Sequence, residues 1–274
     1  NIASMEGNGL DLTLRSKNID GAFKWETNLL LSLYKDETTS YFYPQGSVYS
    51  PGFGNGISPM VGKPLYAILS YKSAGLDPAT GDPRGYLNKQ VSEDYYSIYY
   101  AATSVDSLMY NGPSTPRIFG SVGNSFSWKG FSLTAYISYK LGYYFRKESI
   151  NYDLLFNQGI GNSDFSKRWQ HPGDELKTQV PSMVYPNIGG RDNFYALSNA
   201  TVLKGDNIRL QFINLSYDFT RWLNSKKLFK MLQLYINASN LGIIWKANKE
   251  NIDPDFPSSM PTPKTYAIGL RANF

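Results

Sequence analysis

The 274-residue chain is 15% aromatic, with 22 Tyr and 15 Phe, yet only 18% charged, against about a quarter in an ordinary soluble domain. It has no cysteine and a net charge of +5 without a basic run, which excludes disulfides and thiolate metal sites and gives nucleic-acid binding no support. No apolar run approaches the roughly 18 residues of a membrane-spanning helix, but a spanning β-strand needs only about 9–11 alternating residues and leaves little trace in a mean hydropathy that is slightly polar.

The chain begins at Asn1-Ile2-Ala3-Ser4 with neither Met nor leader, as a mature protein or a piece of a longer one would. Period-two alternation then organises it. Leu10, Leu12 and Leu14 alternate with Asp11, Thr13 and Arg15. Phe23, Trp25, Leu29, Leu31 and Leu33 alternate with Lys24, Glu26, Asn28 and Ser32. Residues 65–71 give a short, weaker strand after Pro64. Ile118, Val122, Phe126 and Trp128 share a face opposite Ser121, Gly123, Ser125 and Ser127.

The clearest run spans Gly130 to Arg146, with Phe131, Leu133, Ala135, Ile137, Tyr139, Leu141, Tyr143 and Phe145 on one face. Aromatics towards both ends of that face suit a lipid-facing strand between interfacial girdles. Residues 207–219 switch phase near Phe212-Ile213, as a β-bulge requires. Leu232, Leu234, Ile236 and Ala238 oppose Gln233, Tyr235, Asn237 and Ser239, and Thr265–Phe274 alternates to the end. Residues 221–229 suit a short helical turn.

These elements predict an all-β, antiparallel transmembrane barrel segment of about eight strands over residues 1–274. In such barrels the inner turns are short and the outer loops long. Counted back from the end, residues 241–263, 147–205 and 72–114 are long where the outside is expected. Residues 221–228 and 129–130 are short where the inside is expected. Two connections break the rule: residues 16–21 are short and residues 35–62 are long.

Tyr86, Tyr95, Tyr96, Tyr99 and Tyr100 crowd one outer loop, and Trp169, His171 and Tyr185 sit in the next. Such rings either stack on sugars or peptide side chains, or pack the loops against each other. Tyr136, Lys140, Tyr235 and Arg271 fall on the inward face, where they line a solute path or hydrogen-bond other protein groups. Asp77 and Asp82 flank a Pro/Gly turn and offer two carboxylates to calcium, too few for a known calcium loop. The default there is a turn.

The single His171 has no nucleophile motif around it, so no catalytic residue, metal site or cofactor is expected and the chain does not read as an enzyme. Gly52-Phe53-Gly54-Asn55-Gly56 lacks the strand–turn–helix setting of a dinucleotide site. Asn214-Leu215-Ser216 and Asn237-Ala238-Ser239 lie within strands and are not glycosylation sites.

The final strand, with Gly269, Ala272 and the terminal Phe274, is similar to the signal read by barrel-assembly machinery. NIASMEGNGLDL (1–12), VGKPLYAILSYKSAGLDPATGDPRG (61–85), PRIFGSVGNSFSWKGFSLTAYISYKLGYYF (116–145), RWQHPGDE (168–175), KGDNIRLQFINLSYDF (204–219) and the closing PTPKTYAIGLRANF resemble, in order and spacing, the C-terminal third of SusC/RagA-type TonB-dependent outer-membrane transporters of Bacteroidetes-like bacteria.

That resemblance implies a 22-stranded barrel in the outer membrane with a plug, driven through TonB and capped by a SusD-like lipoprotein, importing a large nutrient such as an oligosaccharide or peptide. An arc of about eight strands has two free edges. Roughly ten unpaired backbone groups in hydrocarbon would cost tens of kcal/mol. Another chain or an N-terminal part is therefore expected to complete the barrel. A self-closed small barrel with a structural or adhesive role is the second reading, and a soluble glycan-binding β-sandwich the third.

Overall fold

Alternating β-branched, aromatic and small polar residues suit a pleated surface that is apolar on one side only, and strands dominate the chain. The computed structural model describes residues 2–42, 59–102, 107–220 and 230–273. The short helical turn expected at residues 221–229, the glycine-rich segment at 52–56 and Phe274 lie outside the described residues.

Two strands open the chain, β1 (Ala3–Asp20) and β2 (Phe23–Tyr41). Four short ones follow: β3 (Ala67–Ser70), β4 (Gly85–Leu87), β5 (Gln90–Ser92) and β6 (Met109–Pro113). Next come β7 (Ile118–Trp128), β8 (Phe131–Leu141) and the short β9 (Tyr144–Arg146) and β10 (Val202–Lys204). The last are β11 (Asn207–Asp218), β12 (Met231–Lys246) and β13 (Thr265–Asn273). Three helices of seven residues each, α1 (Tyr95–Ala101), α2 (Tyr152–Gln158) and α3 (Arg191–Leu197), lie in the long connections. Among the described residues no helix is long and apolar enough to cross a membrane.

The chain divides into two compact units. One holds a seven-stranded sheet in the order β1-β2-β7-β8-β11-β12-β13, antiparallel wherever the register is defined. β1 and β13 are its two edges, so the sheet does not close on itself, which corrects the self-closed barrel reading. One face is apolar and open: Tyr266, Ile268 and Leu270 of β13 are 69%, 73% and 64% exposed. Among the described residues of this unit no second sheet covers it, as a sandwich would require.

Three of the sequence expectations shift. Residues 65–71 do not join the large sheet; β3 pairs β6 in a two-stranded sheet of the other unit. The strand at 130–146 stops at Leu141, because Gly142 turns left-handed (φ 76°) and its N–H binds the Asp206 carboxylate at 2.7 Å. Tyr143 and Phe145 beyond it are buried rather than lipid-facing. The bulge in β11 falls between Leu210 and Phe212, displacing Gln211 from register against both neighbours.

With residues 65–71 removed from the large sheet, the connection rule holds throughout. Residues 21–22, 129–130 and 219–230 are the short links, and 42–117, 142–206 and 247–264 the long ones. The two exceptions met in the sequence came from counting eight strands where the sheet has seven.

Close strand approach depends on Gly120. A Cβ there would meet the Leu30 carbonyl and the Tyr139 hydroxyl, which itself donates to Leu30 O at 2.8 Å. Gly120→Val should cost about 1–3 kcal/mol through overpacking, read by urea unfolding in detergent. Gly161→Val, with open space around it, serves as the unaffected comparison.

Candidate functional site

Two surfaces bear the residues singled out above. The first is the polar face of the large sheet. Tyr136 and Tyr235 lie across from Gly123 and Gly269, and each ring occupies the space its glycine leaves. This is an aromatic-over-glycine arrangement that pins register. Tyr136 also stacks on Phe212, with centroids 4.9 Å apart and planes at 20°. The Arg271 guanidinium stands 5.8 Å over the Tyr235 ring, and Ala272 and Gly269 sit in β13 beside it.

These strands frame a groove of about 540 Å³, lined by Thr134, Asn214, Ser216, Asn237, Tyr235 and Arg271 among others. Its walls are hydroxyls and amides with one permanent cation, able to donate and accept hydrogen bonds to a polar solute or to a protein segment. Towards the long connections the face becomes charged. Lys140 pairs Asp255 at 2.8 Å, and Arg209 pairs Asp253 at 2.6 Å and Asp255 at 3.2 Å. Lys140 is therefore committed to an ion pair and does not stand alone.

The second surface belongs to the unit built from the long connections. α1 sorts the tyrosine cluster by helical period. Tyr95 and Tyr99 turn inward, their hydroxyls donating to Pro83 O at 3.0 Å and Gly190 O at 2.6 Å. They pack with Ile98, Tyr71 and Phe194 in the core. Tyr96, Tyr100 and Tyr86 remain exposed. Burial holds the Tyr95 hydroxyl far above the ordinary phenol range.

Trp169 is buried, its indole N–H donating to Glu175 at 3.2 Å. His171 is exposed, its backbone N–H held by the Asp174 carboxylate at 3.0 Å. Tyr185 is 78% exposed and edge-on to Phe156 at 5.1 Å. Tyr95, Tyr99 and Trp169 thus pack the unit together, while Tyr86, Tyr96, Tyr100, His171 and Tyr185 present surface.

Asp77 and Asp82, the pair at the Pro/Gly turn, take separate partners. Asp77 accepts the N–H groups of Ala79 and Thr80 at 2.8 and 3.1 Å and pairs Arg84 at 3.6 Å. Asp82 instead turns to Arg191 at 2.6 Å. Two carboxylates with separate partners do not converge on an ion. Among the described residues no group of three or more His, Asp or Glu gathers as a metal site.

Sequence reasoning missed the buried polar ties of this unit. Arg191 is fully buried, its guanidinium donating to Asp82 and to Ser182 O and Oγ. Arg146 donates to Ala196 O, Ser198 O, Thr201 Oγ1, Leu69 O and Ser70 Oγ, joining three chain segments. Burial brings its pKa down to about 10. Asp82 lies 109 positions from Arg191, and the partners of Arg146 lie 50 to 77 positions from it, so no local pattern marks these ties.

Asp164 forms the third tie, with Lys147 at 2.9 Å, Lys167 at 3.0 Å and the Ser149 hydroxyl at 2.8 Å. Burial would raise its pKa, but the hydrogen bonds from Lys147, Ser149 and Lys167 outweigh it and hold the carboxyl below its ordinary value. A depressed folded pKa stabilises above the unfolded pKa of about 3.9 and loses that contribution as pH falls through the folded value. Asp164→Asn should therefore lower stability at neutral pH, and its difference from the parent protein should shrink below about pH 4, as urea unfolding at several pH values will read.

No family model matches the sequence, and no curated protein matches it. Solved structures do. The chain superimposes over 100% of its length on the RagAB peptide transporter, with a TM-score of 0.71 and 21% identity. The same TM-score of 0.71 is found with the RagAB peptide importer in its closed-closed state at 21% identity and in its open-open state at 20%. The chain spans only 29–30% of the length of those chains, the extent a C-terminal third would occupy. The neighbours are transporters rather than enzymes, and the likeness fixes the fold as that of a segment of such a protein.

Proposed function

We propose that this chain forms the C-terminal segment of a 22-stranded, TonB-dependent outer-membrane transporter of the SusC type that imports peptides. A plug and the remaining strands come from the rest of the transporter, and a SusD-like lipoprotein caps it. The large sheet supplies seven adjacent staves, apolar outward and polar inward. In such a transporter the long connections open to the outside, where cargo and lid arrive. Transport is binding and gating without covalent chemistry.

The observation that carries this reading is the strict alternation of short and long links along seven strands whose apolar face is open. A soluble domain has no reason to keep all long connections at one end of a sheet, whereas a membrane barrel does. The two sheet edges fit it as well, since each leaves a row of unpaired backbone groups that a complete barrel would pair. Peptides are placed ahead of glycans because the structural neighbours transport peptides.

The test is uptake by cells. Deleting the gene should abolish growth on oligopeptides while leaving growth on free amino acids intact, and removal of TonB should reproduce that phenotype. Normal oligopeptide growth, with loss of growth on one glycan instead, would replace peptide by glycan as the cargo.

A further inference from the structure

In the unit made of the long connections, a cavity of about 400 Å³ is lined by Lys72, Lys89, Asn88, Tyr86, Tyr71 and Ser107, among others. Among the described residues its lining includes two lysines and no carboxylate. Neither lysine has an ion-pair partner among the described residues. Two like charges bordering one half-apolar hollow repel each other unless an anion lies between them.

The two lysines are placed differently, Lys72 through its ammonium and Lys89 through its backbone. Lys72 Nζ stands 5.0 Å over the face of Tyr86, a cation–π placement that fixes the ammonium at the cavity wall. Lys89 occupies the second central position of the two-residue turn joining β4 and β5, where Leu87 pairs Gln90. Asn88 and Lys89 there have φ of 51° and 69°, the conformation of a turn that favours Asn followed by Gly. A lysine at that position carries backbone strain that glycine would not, and such strain often marks a functional position.

We infer that this cavity is a carboxylate-binding site, taking the C-terminal carboxylate or an acidic side chain of a peptide between Lys72 and Lys89. The inference rests on the peptide-import reading and names what the outer unit recognises. The volume suits one residue of a peptide rather than a whole chain. Asn88 and Ser107 supply neutral hydrogen-bonding groups beside the two cations, and the exposed rings of Tyr96 and Tyr100 on α1 lie on the same unit.

The test measures binding by titration calorimetry on the native complex in detergent, with three hexapeptides of otherwise uncharged side chains. One has a free C-terminus, one is C-terminally amidated, and one is amidated with a single internal Asp. The parent complex is expected to bind the first or third at least tenfold more tightly than the second, and which one it prefers tells the terminal carboxylate from the acidic side chain. Lys72→Gln with Lys89→Gly should erase that preference. Lys89→Gly alone relieves the turn, so it should keep or raise thermal stability while weakening carboxylate binding about threefold or more. Equal affinity of the parent for all three peptides, or an unchanged preference in the double variant, would overturn the inference and leave peptide import standing. Failure of every peptide to bind would instead remove the import reading, and this site with it.

Discussion

Arg191→Met should destabilise the unit formed by the long connections by about 3–5 kcal/mol, the usual consequence of removing one partner of a buried ion pair. Arg191 is fully buried and the Asp82 carboxylate against it is nearly so. Without the guanidinium, Asp82 loses its 2.6 Å partner, and the carbonyl and hydroxyl of Ser182 lose their donor. Tyr152 also loses the cation 5.6 Å over its ring.

The double variant Arg191→Met with Asp82→Asn should recover part of the loss, because the closer of the two carboxylates left without the cation is then neutral, while Asp192, 3.8 Å from the guanidinium in the parent, keeps its charge. Protease sensitivity of residues 59–102 and 144–204 in the native complex reports the effect, with urea unfolding for its size. A loss below about 1 kcal/mol would mean that water reaches Asp82, and that this pair is not what holds the unit together.

That tie also shows where sequence reading stops. Asp82 and Arg191 are 109 positions apart, and each looks locally like an ordinary loop residue. The expectation for Asp82 was a turn or a calcium ligand, because only its neighbours in sequence were visible. The large sheet was far more legible. In β8 the polar and apolar sets follow from alternation alone, and the register Val122↔Ile137 and Gly123↔Tyr136 shows which residues share a face across strands.

Errors arose where length, not pattern, decides. Residues 65–71 alternate over too few positions to tell a spanning stave from a strand inside a loop unit, and that one miscount disturbed the connection rule at two places. Gly142 was written into the strand at 130–146 because a glycine between apolar residues does not interrupt a period of two. Its left-handed φ and the Asp206 carboxylate end β8 there. In the tyrosine cluster the missing signal was helical: read at a period of 3.6, positions 95 and 99 fall on one side and 96 and 100 on another.

The second large effect concerns which face meets lipid. Ile137 lies mid-strand in β8, between Val122 of β7 and Leu210 of β11, on the same face as Leu133 and Phe131. If that face contacts hydrocarbon near the midplane, Ile137→Arg should cost about 2–4 kcal/mol, read by urea unfolding of the complex in lipid vesicles. Ser138 is its neighbour on the inward face, and Ser138→Arg is expected to be tolerated. The structure adds one consideration: the Ser138 hydroxyl receives the Gln211 amide at 2.6 Å beside the bulge, so Arg there also disturbs a register point. Asn237 of β12 is the cleaner comparison on the polar face, its amide bonded among the described residues to Ser239 at 3.2 Å and its cross-strand partners being Asn214 and Ala267. Asn237→Arg should stay within about 0.5 kcal/mol, as surface changes away from special features do. Equal losses at positions 137 and 237 would mean that neither face is bathed in hydrocarbon. The open apolar surface of β13 would then have to be covered by protein, and the membrane assignment would fall with it.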